Sequence, residues 1–142
     1  MRDEVQLVFD PLPGDALERL IEDNVIAYNL AATGSADWYP VGYFLRNARG
    51  EWLGGCIGNI WGGWLHVRWL WVAAAIRRRG HATRLMDAAE AMGAERGCGS
   101  ATLETHSVEA LAFYRARLYQ VFGTLEDYPP GFTKYFLSKR LS

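Results

Sequence analysis

Two turn segments divide residues 39–72 into three short stretches, and this division restricts the possible folds more than any other feature. Asn47-Ala48-Arg49-Gly50 follows the first stretch, and Gly62-Gly63, a strong two-residue hairpin signal, separates the second from the third. The third stretch, 64–72, alternates polar and apolar side chains as a half-buried strand does. The sequence therefore predicts three consecutive antiparallel strands, with a bulge or a close backbone approach where glycines interrupt the middle one, 52–61.

After residue 80 the apolar side chains change to a helical spacing. One stripe of a predicted helix consists of Ala82, Leu85, Met86, Ala89 and Met92, and Gly97 follows its end. The remaining segments predict a strand over 101–105, a helix over 110–117, and strands over 119–125 and 133–141. Near the start, 5–9 is predicted as a strand, and Asp15 with Glu18 predicts a capping box that begins a helix. This order predicts an α/β fold, a mixed sheet with helices on its faces.

Length and composition limit the class of protein. The chain has 142 residues, half of them apolar, so we expect a single domain over 1–142 with a hydrophobic core. A net charge of −1 gives no general attraction to nucleic acid or to an anionic membrane surface. No apolar stretch is long enough to cross a bilayer. The two cysteines are too few for a disulfide framework, and no metal-binding motif is present, so we expect a reduced, cytoplasmic protein.

Six tryptophans are concentrated in the first half of the chain, five of them between positions 52 and 71. Tryptophan buries a large apolar area and keeps one hydrogen-bond donor for a wet edge. We therefore expect these side chains to fill the core and its interfaces, in preference to forming an aromatic cage for a substrate.

The segment from Trp71 to Met86 carries the clearest chemical signal, because it passes from a strand through a short turn into a helix. A helix N-terminus presents unpaired N–H groups and a partial positive charge, which together bind phosphate. Gly80 and Ala82 leave the backbone accessible there. Positive charge is supplied nearby by Arg77, Arg78, Arg79, His81 and Arg84. The pattern predicts a polyphosphate ligand, although the usual nucleotide-binding, zinc-hydrolase, dithiol and serine-hydrolase motifs are all missing.

Two short motifs carry a family resemblance. Val72 followed by Arg77-x-x-Gly80-x-Ala82 resembles the acyl-CoA loop of the GNAT superfamily of N-acetyltransferases, which reads Gln/Arg-x-x-Gly-x-Gly/Ala. Downstream, Ser107-x-x-Ala110-x-x-Phe113-Tyr114 is similar to that family's Asn-x-x-Ala-x-x-Phe/Leu-Tyr block. The spacing of strands and helices fits the family along nearly all of the chain, and further segments resemble a subgroup of small bacterial acetyltransferases.

The resemblance implies direct transfer of an acetyl group from acetyl-CoA to a primary amine of a small molecule, such as an antibiotic, a polyamine or a metabolite, within a ternary complex. It implies central strands, 64–72 and 101–105, that splay apart to hold pantetheine. The implied general acid for the departing thiolate is Tyr114. The implied cofactor-contacting residues are Leu70, Trp71, Val72, Arg77, Arg78, Arg79, Gly80, His81, Ala82, Thr83, Ser107 and Ala110.

The general base remains open among three residues. The family often has a glutamate on the central strand, where this chain has His66 and Arg68. Histidine can accept a proton near neutral pH, so His66 is one candidate. Glu104 and His106, at the end of the neighbouring predicted strand, are equally placed alternatives.

Three positions depart from the family pattern, among them Ala74, which replaces a common proline before the acyl-CoA loop. Ser107 replaces the usual asparagine, which predicts a weaker or water-bridged pantetheine contact. Leu118 replaces a glycine that usually ends the tyrosine-bearing helix, and a left-handed turn there would strain a leucine, so we expect the local backbone to differ from the family's. The alternative function is a non-catalytic acyl-CoA-binding or sensor module on the same fold. The resemblance also implies a homodimer.

Overall fold

The computed structural model describes residues 4–141. Its three α-helices are α1 (Gly14–Thr33), α2 (His81–Glu95) and α3 (Val108–Ala116). Its six strands are β1 (Tyr39–Arg46), β2 (Trp52–Trp61), β3 (Trp64–Val72), β4 (Ser100–Thr105), β5 (Gln120–Leu125) and β6 (Lys134–Arg140). A single 3₁₀ turn, Ala74–Ile76, lies between β3 and α2.

The six strands form one sheet in the order β1-β2-β3-β4-β6-β5. Only β3 and β4 are parallel, and the connection between them contains α2, as a parallel pair requires. The predicted hairpins are confirmed: Asn47 and Glu51 are hydrogen-bonded across the first turn, and Gly62 and Gly63 adopt φ values of 62° and 82° at the second. The predicted α/β class with a mixed sheet is therefore confirmed.

The chain divides into two compact units, one ending at Ser35 and one beginning at Ala36. The first contains α1, which has no buried residue and ends at Gly34 in the left-handed conformation. The prediction of one domain over 1–142 is not tested by this division and stays a prediction. The second unit contains the sheet, α2 and α3.

Two predictions for the first unit are wrong. Residues 5–9 form no strand, because no neighbouring chain segment pairs with them, and an unpaired strand has no ladder hydrogen bonds to stabilise it. Asp15 does not cap α1. The helix begins at Gly14, one residue earlier, so that Asp15 lies inside the first turn and Pro13 occupies the cap position without a side-chain hydrogen bond. An acidic residue still stabilises that end through the helix dipole.

The core of the second unit lies between α2 and the sheet. Leu85, Met86 and Ala89 of the predicted helical stripe are buried, and the residues they join include Leu65 of β3 and Leu103 of β4. Full burial of one such side chain contributes about 1.5–3 kcal/mol. The tryptophans do not enter this core, because all six are between 36% and 67% exposed. The prediction that they fill the core is therefore wrong.

The centre of the sheet contains a bulge that opens it. The register between β2 and β3 shifts between Ile57 and Gly58, as the glycines of the middle strand predict. Pairing between β3 and β4 runs only from Trp64 opposite Ser100 to Val67 opposite Leu103, and then stops. Beyond that point the two strands separate, and the opening between them holds the candidate site. None of the described helices is long and apolar enough to cross a membrane.

Candidate active site

A cavity of about 520 Å³ occupies the opening between β3 and β4. Residues 69–72 of β3 pair with β2 on one side, and no described strand pairs with them or with Arg68 on the other. Apart from the Val72 carbonyl, which accepts a hydrogen bond from Arg77, their backbone N–H and C=O groups on that side remain available to an extended ligand, because backbone polar groups need a partner. Residues from the carboxyl end of β4 and from α3 complete the lining, among them Ser107, Ala110 and Tyr114.

Two of the three candidate bases form a hydrogen-bonded pair in this cavity. Nε2 of His66 lies 3.0 Å from Oε2 of Glu104, across the two parallel strands near the point where their pairing ends. Both side chains are partly exposed, at 36% and 29%. The third candidate, His106, also lines the cavity, but its ring stacks on Tyr128 at a centroid distance of 5.4 Å. The structure thus separates the candidates by environment, a distinction that strand spacing alone does not give.

The Tyr114 side chain is buried and reaches the same cavity from α3. Its ring meets Phe113 and Tyr119 edge-to-face, at centroid distances of 5.2 and 5.7 Å. Burial raises the pKa of Tyr114 to about 12, with a further rise from Cys56 and an opposing effect of Arg117. The phenol is therefore neutral throughout the physiological range and keeps its proton for donation.

The start of α3 explains what Ser107 does in place of asparagine. Ser107 is the N-cap residue, and its hydroxyl oxygen accepts a hydrogen bond of 3.1 Å from the backbone N–H of Ala110. The Ser107 N–H in turn donates to the hydroxyl of Thr105. Serine is a favoured N-cap, and replacing such a cap by alanine costs about 1 kcal/mol. Ser107 thus stabilises the helix that carries Tyr114. The sequence predicted a pantetheine contact for this residue and did not predict this capping role.

At the end of α3 the expected departure of the backbone from the family's turn is wrong, because the left-handed turn forms in spite of the leucine. Leu118 adopts a φ of 75° and its side chain is exposed. Leucine is strained in this region, by about 1–2 kcal/mol relative to the right-handed conformation. The next residue, Tyr119, is buried and hydrogen-bonded, and these contacts hold the turn in place.

A second cavity, of about 300 Å³, lies at the N-terminus of α2. Gly80 is the N-cap residue there, with a φ of 82°, and a Cβ built on it would meet no atom within 4 Å. The first turn of α2 contains no acidic residue that could compete for its N–H groups. Seven of the predicted cofactor residues line this cavity, namely Val72, Arg77, Arg78, Gly80, His81, Ala82 and Thr83.

The remaining predicted cofactor residues occupy different positions. Leu70 lines the larger cavity, whereas Trp71 pairs with Gly55 of β2 and lines a separate apolar groove with Phe44 and Trp52, outside both cavities of the candidate site. Arg79 is exposed and lines neither cavity of the candidate site. Nε of Arg77 donates to the carbonyl oxygen of Val72 at 2.8 Å, which closes the turn between β3 and α2.

Sequence reasoning missed a partly buried ionic cluster around Glu90 of α2. Its carboxylate accepts hydrogen bonds from Arg117 at 2.9 Å, from the Tyr119 hydroxyl at 3.1 Å and from the Lys139 ammonium group. The Glu90 side chain is only 11% exposed. Burial, together with the Glu90 carboxylate, raises the pKa of Tyr119 above its ordinary value. The cluster connects α2, the end of α3 and β6, next to Tyr114. Its other members lie 27 to 49 residues from Glu90 in sequence, and no local pattern marks them.

Comparison with known proteins assigns the chain to a family. A family model described as the Acetyltransferase (GNAT) family matches residues 15–118. The chain belongs to this family. It is 34% identical over 123 residues to an acetyltransferase of Agrobacterium fabrum, with 87% of this chain and 90% of that protein covered. It is also 42% identical over 94 residues to the blasticidin-S acetyltransferase of Streptomyces morookaense, with 66% and 69% covered.

A solved structure shares the GNAT fold along the whole chain. The crystal structure of an Agrobacterium tumefaciens protein assigned to the acetyltransferases has a TM-score of 0.84 and 32% identity, and the match covers 99% of each chain. The predicted membership of the GNAT family and the predicted fold are both confirmed. The roles of individual residues stay predictions.

Proposed function

We propose that this protein is an acetyl-CoA-dependent N-acetyltransferase that acetylates a primary amine of a small molecule. The observation that carries the proposal is one arrangement of three parts: an unpaired strand edge, a helix N-terminus with open space above it, and a buried neutral tyrosine. Residues 68–72, Gly80 and Tyr114 supply these parts in that order. Each part suits a different portion of acetyl-CoA. The strand edge suits the pantetheine arm, the helix N-terminus suits the pyrophosphate, and the tyrosine suits the sulfur of the thioester.

The residues present fit acetyl-CoA. The backbone of 68–72 on the side of the opening, apart from the Val72 carbonyl, can pair with the amides of pantetheine, as an added strand pairs with a sheet edge. The N–H groups of the first turn of α2, from His81 onward, suit a pyrophosphate, and Arg78 and Arg84 add positive charge nearby. Bound acetyl-CoA would supply the activated acetyl group and a thiolate leaving group.

Tyr114 is the proposed general acid. A tyrosine hydroxyl can donate a hydrogen bond to sulfur as negative charge develops there, without first losing its own proton. Burial keeps that hydroxyl protonated, with a pKa of about 12. Because Tyr114 is buried, its hydroxyl lies in a less polar surrounding than water, which strengthens a hydrogen bond that it donates.

Relatives support a small-molecule acceptor. One relative is named as an acetyltransferase of blasticidin-S, and it matches 66% of this chain. The larger cavity, about 520 Å³, has the volume of a small-ligand site. We therefore place the acceptor among small amines, with antibiotics, polyamines and metabolites as the classes to compare.

The alternative is a binding module that holds acyl-CoA without transferring the acyl group. The use of the Ser107 hydroxyl as a helix cap favours it, because that oxygen is committed to the Ala110 N–H. The retention of a buried Tyr114 at the cavity favours catalysis. The predicted homodimer and cytoplasmic location are kept as proposals, to be tested by solution mass and by cell fractionation.

A single assay separates the two functions. The protein is incubated with acetyl-CoA and a panel of primary amines, free thiol is measured, and products are identified by a mass gain of about 42 Da, the mass of an acetyl group replacing a proton. Amine-dependent thiol release with an acetylated product supports the enzyme. Binding of acetyl-CoA without thiol release for any amine supports the binding module.

A further inference from the structure

We propose that His66 is the general base that takes a proton from the acceptor amine and that Glu104 positions it. This inference rests on the proposed acetyltransferase function, since a base is needed only if an amine attacks. The sequence left His66, Glu104 and His106 as separate alternatives. The structure joins the first two into one unit and places the third in a different environment.

The pair lies where the reaction would take place. His66 and Glu104 meet near the last rung before β3 and β4 separate, and both line the cavity that Tyr114 reaches from α3. The sheet fixes the backbone of His66 from both sides, because this residue is opposite Asn59 of β2 and Thr102 of β4. A base and an acid thus face one cavity from two rigid elements.

The hydrogen bond determines which ring nitrogen is basic. An ionised carboxylate can only accept, so Nε2 of His66 carries the proton in the 3.0 Å contact with Glu104. Neutral imidazole then has its lone pair on Nδ1, which has no hydrogen-bond partner among the described residues. Nδ1 is therefore the atom that accepts a proton, and the carboxylate stabilises the imidazolium that results, as in a nucleophile–base–carboxylate triad.

His106 lacks this arrangement although it lines the same cavity. Its ring stacks on Tyr128, with an interplanar angle of 19°, and within residues 4–141 no carboxylate accepts a hydrogen bond from it. Nothing in its surroundings selects one tautomer. The stacked contact with Tyr128 is what we expect of a residue that forms part of the cavity wall.

The charges facing the pair come from three elements. Arg68 lies on β3, Lys134 lies at the start of β6, and Glu104 is the single carboxylate in the described lining; His106 and Tyr114 are the remaining titratable groups there. Two nearby cations disfavour a protonated amine in this cavity and so promote the neutral form that can attack. The same two cations also disfavour protonation of His66, and the hydrogen-bonded Glu104 carboxylate offsets this effect by stabilising the imidazolium.

The proton transfers balance in one cycle. The neutral amine nitrogen forms the new C–N bond, the C–S bond breaks with its electron pair on sulfur, and one amine proton passes to Nδ1 of His66. Tyr114 donates its hydroxyl proton to the thiolate. The imidazolium of His66 then returns its proton through water to the phenolate, which restores both side chains.

The first test measures the tautomer directly and needs no substrate. Two-bond ¹⁵N–¹H correlation spectra of uniformly labelled protein at pH 8.5 identify His66 by the signal lost in His66→Asn. We expect the Nε2–H form in the wild type and an increased share of the Nδ1–H form in Glu104→Gln, whose amide can donate to Nε2. An Nδ1–H form in the wild type would overturn the proposal.

The second test measures kcat/KM against pH, with the amine found by the panel assay. His66→Asn is expected to lower kcat/KM at least 100-fold and to remove one proton from the slope of its fall at acid pH, leaving only the fall caused by protonation of the amine, since general-base assistance is typically worth 10²–10⁴-fold. Glu104→Gln is expected to lower it at least tenfold. His106→Asn should keep the fall at acid pH, and the surface control Glu95→Gln should stay within twofold of the wild type.

The outcomes separate this inference from the proposed function. If the wild type acetylates an amine and His66→Asn keeps kcat/KM within threefold at every pH, the base is wrong and the acetyltransferase function stands. If His106→Asn alone loses one proton from the slope of the fall at acid pH, the base is His106. If acetyl-CoA binds and no amine is acetylated, the proposed function and the base are both wrong.

Discussion

A Cβ built on Gly58 of β2 would lie 2.2 Å from the carbonyl oxygen of His66 on β3. Only a residue without a side chain allows the two strands to approach this closely at the bulge. The same bulge marks the point after which β3 leaves β4, so Gly58 and His66 together define where the cavity opens.

Gly58→Ala is expected to lower the free energy of unfolding by about 1–3 kcal/mol, the usual cost of overpacking. The cause is the clash with backbone, which cannot rotate away as a side chain can. Urea denaturation measures the change. Gly123→Ala is the matched control, because Gly123 also lies at a strand irregularity and a Cβ there meets nothing within 4 Å. Equal losses in both variants would contradict the proposed close approach.

Acetyl-CoA is expected to raise the melting temperature of the wild type and not that of Gly80→Leu. A ligand at 100 times its Kd stabilises a protein by about 2.7 kcal/mol. The introduced leucine side chain would fill the space at the N-terminus of α2. Gly97→Leu is the control, since Gly97 has a matching φ of 84° and equally open space at the other end of that helix. Differential scanning fluorimetry with acetyl-CoA and with ATP distinguishes a cofactor site from a general phosphate site.

Tyr114→Phe is expected to lower kcat at least tenfold and to leave KM for acetyl-CoA within about twofold. The hydroxyl interaction grows as charge develops on sulfur, so its loss acts on the transition state. Tyr119→Phe removes the neighbouring hydroxyl and is expected to reduce stability while kcat stays within about threefold, because that hydroxyl bonds to Glu90. Unchanged kcat in Tyr114→Phe, with chemistry shown to limit the rate, would leave Tyr114 as a packing residue.

Alkaline pH is expected to destabilise the fold through Cys56 and Tyr114. Burial raises the pKa of the Cys56 thiol to about 11, and that of Tyr114 to about 12. Both groups are acids with a raised pKa, so their stabilising effect is complete below the unfolded values and is lost as pH rises through the folded ones. The loss is expected between about pH 9 and 12, on the order of 2–3 kcal/mol for each group. Cys56→Ala should flatten the lower part of this decline in urea denaturation at each pH.

Glu90→Gln is expected to lower the free energy of unfolding by about 3–5 kcal/mol, because it leaves Arg117 and Lys139 partly buried without their carboxylate. Asp87→Asn is the control on the same arginine. The Asp87 side chain is 65% exposed, and an exposed pair contributes at most about 1 kcal/mol. A Glu90→Gln loss no larger than that of Asp87→Asn would mean that the cluster adds little stability.

The sequence predicted those parts of the fold that depend on local signals. The Gly62-Gly63 hairpin and the stripe on α2 need only turn chemistry and periodicity, and both are present. Residues 5–9 also have a strand-like pattern, but a strand needs a neighbouring strand to pair with, and no local signal in the sequence shows whether one is present. The size of tryptophan favours a place in the core, but the small core is filled by residues such as Leu65 and Met86.

The site could be predicted in its motifs and not in its pairings. Gly80 and Tyr114 stand in short patterns, and both line the cavities of the candidate site. The contact between His66 and Glu104 joins residues 38 positions apart, and it depends on the register of two parallel strands. That register is set by α2 between them, whose packing on the sheet cannot be calculated from residue spacing.

The separation of β3 from β4 leaves an open strand edge in the middle of a sheet instead of at its border. Any extended chain, including a strand from an unfolded copy of this protein, could add to such an edge and begin aggregation. Arg68 next to the opening works against this, because a charged side chain is poorly accommodated when a second strand covers it. A ligand whose amides pair with this edge therefore also protects the folded protein from aggregation. Purification with acetyl-CoA or CoA should yield more monodisperse material.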